Sequence, residues 1–291
     1  MADDELIGNA GDDALYAGAG NDILNGGAGA DTLNGGAGND FISYFLAAAI
    51  TARDVTIAGK TYSGIDGVYV NLSLGNAVQD SGSGSDADGD RLFDIESITG
   101  SQQGSNLLIG DAGANILVGH NGDDILVGHG GNDTLRGNAG TDTAIFDYSW
   151  ATDNLTLAAM VSTSNNSFTA TATGGVTETD TYEGIENFHI TGGSGHDRIT
   201  GAAGDDVLTG GDGNDTLHGG AGADILIGGN GDNDFVLTLA DRSRAKDIVT
   251  DFVRDDQIKI ALSSADKALV DAETSNSDKL DKLLELAEIS I

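Results

Sequence analysis

The sequence predicts an all-β chain assembled from short repeated strands, and three observations carry that prediction. Asp or Asn recurs at every ninth position within three stretches, the residue two places beyond it is apolar, and glycine crowds the turn before it. One apolar residue between outward-facing neighbours is the period-two mark of a strand buried on one face. Composition then narrows the function. The 291 residues include 45 Gly, no Pro and no Cys, so neither a disulfide framework nor a thiolate metal site is available. No apolar run is long enough for a membrane span. With 47 Asp and Glu against 13 Lys and Arg the formal charge is −34, which repels phosphate and argues against a nucleic-acid partner. A hydrophobic fraction of 39% with 5% aromatics promises a thin core. Glycine entropy and self-repulsion both oppose compaction, so folding needs something that neutralises charge.

The elements follow in order. Block I, residues 3–43, opens on Asp3 to Ile7 and continues as Gly8-Asn9-Ala10-Gly11-Asp12-Asp13-Ala14-Leu15-Tyr16 and its successors. Its sixth positions are Asp4, Asp13, Asp22, Asp31 and Asp40. Block II, residues 106–145, carries Asn106, Asn115, Asp124, Asp133 and Asp142 in the same place, and block III, residues 192–236, carries Asp197, Asp206, Asp215, Asp224 and Asn233. Leu dominates the eighth position, with Ile42, Ala144, Ile199 and Phe235 as the exceptions.

The pattern Gly-Gly-x-Gly-x-Asp-x-Leu-x resembles the nonapeptide of the RTX (repeat-in-toxin, haemolysin-type) calcium-binding family, a repeat associated with parallel β-helices. The resemblance implies a calcium-bound parallel β-roll in which six residues turn, three form a strand, and two repeats complete a coil. The residue chemistry agrees. Glycine permits positive φ and close backbone approach, so carbonyl oxygens can face an ion, while Asp adds carboxylate; oxygen-only donors suit Ca²⁺. The glycines expected to do so are Gly8, Gly11, Gly18, Gly20, Gly27, Gly29, Gly36 and Gly38 in block I. In block II they are Gly113, Gly122, Gly131 and Gly140, and in block III Gly193, Gly195, Gly204, Gly211, Gly213, Gly220, Gly222, Gly229 and Gly231. Each ion is expected between turns 18 residues apart. The expected pairs are Asp4/Asp22, Asp22/Asp40, Asp13/Asp31, Asn106/Asp124, Asp124/Asp142, Asn115/Asp133, Asp197/Asp215, Asp215/Asn233 and Asp206/Asp224, about nine Ca²⁺, with the Asn-containing pairs weaker. Ordering nine residues costs roughly 9 to 18 kcal/mol of backbone entropy, while one buried Leu returns about 2 to 3. A repeat without metal should not hold its fold.

Residues 44–105 and 146–191 break the period and read as antiparallel β spacers, with Val68 to Leu72 and Asn154 to Leu157 as the clearest strands. Their ends match: Asp90-Arg91-Leu92-Phe93-Asp94-Ile95-Glu96 resembles Asp180-Thr181-Tyr182-Glu183-Gly184-Ile185-Glu186, and each leads into a new block. Leu107, Ile109, Ile125 and Val127 are apolar at outward positions, a patch expected to lie under a spacer or else to serve a partner.

Other arrangements are decoys. Ser194, His196 and Asp197 suggest a triad but are turn residues. His120 and His129, nine apart, fall on opposite edges and read as solvated turn residues. Gly59-Lys60-Thr61 lacks the first Gly of a phosphate loop, and Asp86-Ala87-Asp88-Gly89-Asp90 starts like an EF-hand without its closing Glu. No catalytic residue is expected.

Residues 237–262 contain Asp247-Ile248-Val249-Thr250-Asp251-Phe252 and Asp256-Gln257-Ile258-Lys259-Ile260, similar to the motif that closes RTX rolls. Residues 263–291 end in a helix expected over Ser277 to Ile289, resembling an uncleaved type I secretion signal, and no signal-peptide h-region precedes block I. The resemblance thus implies a secreted or cell-surface protein of a Gram-negative bacterium that meets the type I secretion machinery. It implies a structural, adhesive or interaction module with a cell-surface, polysaccharide or protein partner. The alternative is the C-terminal secretion and folding cassette of a larger enzyme or toxin.

Overall fold

The computed structural model describes residues 2–47, 53–57, 60–74, 87, 89–158, 166–172, 176–238 and 247–261. Apart from a 3-10 turn at Leu72–Leu74, the regular elements among them are β-strands, most of them parallel. The expected C-terminal helix lies outside the described residues, as do Gly59, Asp86 and Asp88. Contacts divide the chain into two compact units, one holding Met1–Phe146 with Glu178–Ile185 and the other Asp147–Met160 with Glu186–Ile291.

In the first unit, strand Glu5–Ala10 pairs in parallel with Ile23–Ala28, and Ala14–Ala19 with Thr32–Ala37, in a register of 18 residues that sets Leu6 beside Leu24 and Leu15 beside Leu33. Ile116–Asn121 pairs with Thr134–Ala139, and Leu107–Ile109 with Ile125–Val127, in the same register. The second unit repeats it: Val207–Asp212 with Ile225–Asn230, and Arg198–Thr200 with Thr216–His218. This is the parallel β-roll. Its core is the eighth-position column: Leu24, Leu33, Ile42, Leu108, Leu117, Leu126, Leu135, Ala144, Ile199, Leu208, Leu217, Leu226 and Phe235 are all 0% exposed. Burial of that column holds each coil to the next.

The spacers join the roll more than their sequence suggests. Arg91–Phe93 pairs in parallel with Thr32–Ala37, Ser97–Thr99 with Phe41–Ser43, and Tyr69–Asn71 with Leu107–Ile109. In the second unit Thr156–Ala158 pairs in parallel with Arg198–Thr200. Arg53–Ile57 and Lys60–Ile65 form an antiparallel pair, as expected of a spacer. The reason for the parallel joins is that Asp90-x-Leu92-x and Glu96-x-Ile98-x carry the same acid-x-apolar signature as the repeat, so they continue its sheets. The apolar patch of block II is covered, since Leu107, Ile109, Ile125 and Val127 are buried with Ile65 and packed by Tyr69 and Ile145.

The closing motif caps the second unit. Ile248–Val249 pairs with Ile225–Asn230 and Gln257–Ala261 with Asp234–Thr238, both at an offset of 23 residues. Both oxygens of Asp251 are used, Oδ1 accepting the N–H of Gly228 (2.8 Å) and Oδ2 that of Gly229 (2.7 Å), while Phe252 packs against Phe235.

Candidate metal centre

Each six-residue turn presents its sixth residue inward, because the strand that follows must bury the eighth. The consequence is a ladder of carboxylates along each edge. In all nine pairs expected from the 18-residue spacing, Oδ1 of the later residue accepts the backbone N–H of the earlier one at 2.7 to 2.9 Å. Asp22, Asp40, Asp124, Asp142, Asp206 and Asp224 are 0% exposed. At Asp13, Asp22, Asp40, Asp124, Asp133, Asp215 and Asp224 the second oxygen, Oδ2, is buried without a hydrogen-bond partner. A buried carboxylate oxygen left in this way is costly unless it is protonated or meets a cation.

The electrostatics carry that cost. Burial, reinforced by neighbouring carboxylates, pushes Asp124 up to about 8, Asp133, Asp206 and Asp224 to about 7, and Asp215 to about 6. Asp40 and Glu96 rise for the same reason. The charges acting on Asp133 are those of Asp180, Glu178 and Asp111, all negative.

Backbone oxygens crowd the same turns. A Cβ on Gly27 (φ +90°) would collide with the carbonyl of Asn9, and one on Gly29 (φ +145°) with that of Gly11, so only glycine allows these turns to stack. Gly8, Gly113, Gly193, Gly195 and Gly204 lie outside the left-handed region. At Gly193 and Gly204 the need is instead for close approach, to the carbonyls of Ala151 and Glu186. Among the described residues no three acidic or His side chains form a metal cluster by themselves. The donor set is carboxylate plus backbone carbonyl, hard oxygen donors that fit Ca²⁺ and not a nitrogen- or sulfur-seeking metal.

Several participants escape the nine-residue period. Asp90 Oδ1 accepts the N–H of Asp31, Glu96 Oε2 that of Asp40, Asp180 Oδ1 that of Asp133, and Asp256 Oδ1 that of Asn233, at 2.8 to 2.9 Å. The signal was the acid-x-apolar triplet at irregular spacing. First-position glycines other than Gly8 were also missed: a Cβ on Gly26, Gly119 or Gly219 would strike Oδ2 of Asp31, Asp124 or Asp224. A second, outer ladder runs through the fifth positions, where Asp3, Asp12, Asp123, Asp205 and Asn214 accept the N–H of the residue 18 further on.

The decoys resolve by their bonds. His196 Nδ1 accepts the N–H of Asn214, and Asp197 accepts those of Leu155 and Gly193, so no triad forms. His129 is exposed, whereas His120 is a correction: half-buried, it sits edge-on to Phe45 at 4.9 Å, and burial lowers its pKa. Asp90, the fifth residue of the EF-hand-like segment, is fully buried and receives the Tyr44 hydroxyl at 2.7 Å.

No helix among the described residues is long and apolar enough to cross a membrane. A search of curated proteins gives no match to the chain. The chain does match the model of the RTX calcium-binding nonapeptide repeat (4 copies), over residues 7–42, 103–144, 189–217 and 201–235, a family of calcium-binding structural repeats. Those segments coincide with the three blocks of stacked carboxylates, and with them the chain's repeats belong to the RTX calcium-binding nonapeptide repeat family.

Proposed function

We propose that the chain is a secreted module that stays expanded at low calcium and folds outside the cell as calcium enters its turns, providing a structural, adhesive or interaction surface. The observation that carries this reading is the row of buried, unpartnered Oδ2 atoms at Asp13, Asp22, Asp40, Asp124, Asp133, Asp215 and Asp224. In the 18-residue pairs made of two Asp, the two sixth-position side chains and the carbonyls of the stacked glycines would hold the ion. Bound there, calcium supplies the positive charge that lets these carboxylates remain ionised inside the fold. Extracellular calcium modules work at about 10⁻⁴ to 10⁻³ M, far above cytosolic levels, so the two compartments select different states. An expanded chain suits passage through a type I secretion channel, and the absence of Pro removes slow isomerisation from refolding outside.

Small-angle scattering of the intact chain tests the reading. In chelator the radius of gyration should be on the order of 60 Å, the value of an unfolded chain of this length, and it should fall sharply in millimolar CaCl₂. A compact chain in chelator would overturn it. Export is tested separately, by supplying a type I apparatus and comparing the full chain with one truncated before Ser277; equal export of both would contradict the secretion assignment.

A further inference from the structure

The turn of Asn106 is built differently from its neighbours. Neither of its first two residues, Ser101 and Gln102, is Gly, whereas the other block II turns open on Gly110, Gly119, Gly128 and Gly137, and Asn106 itself is 0% exposed. Its Oδ1 accepts two backbone N–H groups, from Val68 at 3.0 Å and Ser101 at 2.9 Å. Its Nδ2 is ringed by four oxygens: Ser101 O at 3.0 Å, Gly104 O at 3.1 Å, Gly119 O at 2.9 Å and Asp124 Oδ1 at 2.8 Å. An amide nitrogen carries two hydrogens, so four acceptors share two protons. Reversing the amide would set an oxygen against four oxygens and a donor against two N–H groups, so its orientation is fixed by chemistry.

A tight ring of carbonyl and carboxylate oxygens around one electropositive atom is a cage of the kind a hard cation takes. Here the atom at its centre belongs to the protein. The other two amides in the sixth position do not do this. Asn233 Oδ1 accepts the N–H of Asp215 as an Asp would, with Nδ2 only 3.5 Å from Gly229 O. Asn115 Nδ2 donates to Glu96 O at 2.8 Å and reaches Asp111 Oδ1 at 3.3 Å.

We infer that Asn106 is an internal substitute for an ion: its amide fills the oxygen cage between residues 101–106 and 119–124, so the Asn106/Asp124 pair takes no calcium and stays closed without it. Asn106 thereby sets the number of ions the chain binds and gives the first unit one calcium-independent staple, which ties Val68 of the spacer to block II. This rests on the reading that the remaining pairs bind calcium.

Native mass spectrometry of the full chain at saturating CaCl₂ tests it by counting ions in the wild type, Asn106→Asp and Asn106→Ala. Asn106→Asp should bind one ion more than the wild type, and Asn106→Ala should bind no fewer. An unchanged count in Asn106→Asp, or one ion lost in Asn106→Ala, makes Asn106 an ordinary ligand and overturns the inference. Should either variant fail to fold, hydrogen exchange on the wild type decides. As calcium is withdrawn, the amides of Val68 and Ser101 should keep protection after that of Asp22, which is held by Asp40, has lost it; the reverse order overturns the inference. A wild-type chain that binds no calcium instead removes the underlying reading.

Discussion

Block III contains two kinds of turn built from the same residue. Asp197 uses both carboxylate oxygens on backbone N–H groups, those of Leu155 (2.8 Å) and Gly193 (2.9 Å), and Asp206 does the same with Phe188 and Ala202 (both 2.7 Å). Asp215 and Asp224 each spend one oxygen on the preceding rung and bury the other with no partner. The difference comes from what lies upstream. Asp197 and Asp206 face rungs whose sixth place is taken by Leu155 and Phe188, both buried and apolar, so neither has a sixth-position carboxylate on its upstream side. Inner turns face another carboxylate. If calcium fills the turns as proposed, its dependence is graded along the roll: the entry turns have backbone partners for both oxygens, and the inner turns leave one oxygen for the ion.

The largest effect that would break this comparison is calcium withdrawal. At pH 8 in chelator the inner turns should lose order first. Hydrogen exchange should show the amides of Asp197 and Asp206, held by Asp215 and Asp224, opening before those of Gly193 and Ala202. Simultaneous opening of all four would mean that the entry turns are no more self-sufficient than the rest.

Acid is the next lever. The raised Asp124, Asp133, Asp206, Asp215 and Asp224 bind protons more tightly folded than unfolded, where Asp titrates near 3.9. Their contribution to the metal-free fold is thus favourable at acid pH and is lost as pH rises from about 4 through about 6 to 8. For Asp124 alone the loss by pH 7 is roughly 4 kcal/mol. In chelator, far-UV circular dichroism should gain β signal as pH is lowered from 8 to 5, with protons taking the place of calcium. Further loss of structure on acidification would contradict the cause assigned to these shifts.

Single substitutions sharpen the contrast. Gly213→Ala places a Cβ at φ +122° against the carbonyl of Gly195 and should cost about 2 kcal/mol or more in thermal melts with calcium. Asp215→Asn keeps the bond to the Asp197 N–H but removes the unpartnered oxygen's charge, so calcium affinity should fall about tenfold, or about 1.4 kcal/mol, by calorimetry. Asp197→Asn, whose oxygens already serve the backbone, should lower affinity less. Equal losses in the two variants would erase the distinction between entry and inner turns.

Much of this was legible in the residues. The period fixes an 18-residue register, and with it the nine sixth-position pairs within the blocks, because a strand that buries its eighth residue has no freedom to slip by one. The spacer strands were harder to read. Arg91–Phe93 and Ser97–Thr99 enter the roll through Asp90 and Glu96, which are six residues apart and invisible to a search at nine. His120 was misread because nothing local announces that Phe45, 75 residues upstream, covers its ring. The first-position glycines other than Gly8 were missed for a different reason. Their role is to leave room for Oδ2 of the Asp five residues later, a steric demand that appears only once the turn is built.

The most direct test of the central claim is a calcium titration of the chelator-treated chain, followed by far-UV circular dichroism and by the fluorescence of Trp150, which lies edge-on to Tyr148 in the second unit, with magnesium as control. The account predicts a large gain of β structure as calcium is added, seen by both probes and absent with Mg²⁺. A chain already β-structured in chelator at pH 8, or ordered equally well by magnesium, would contradict it.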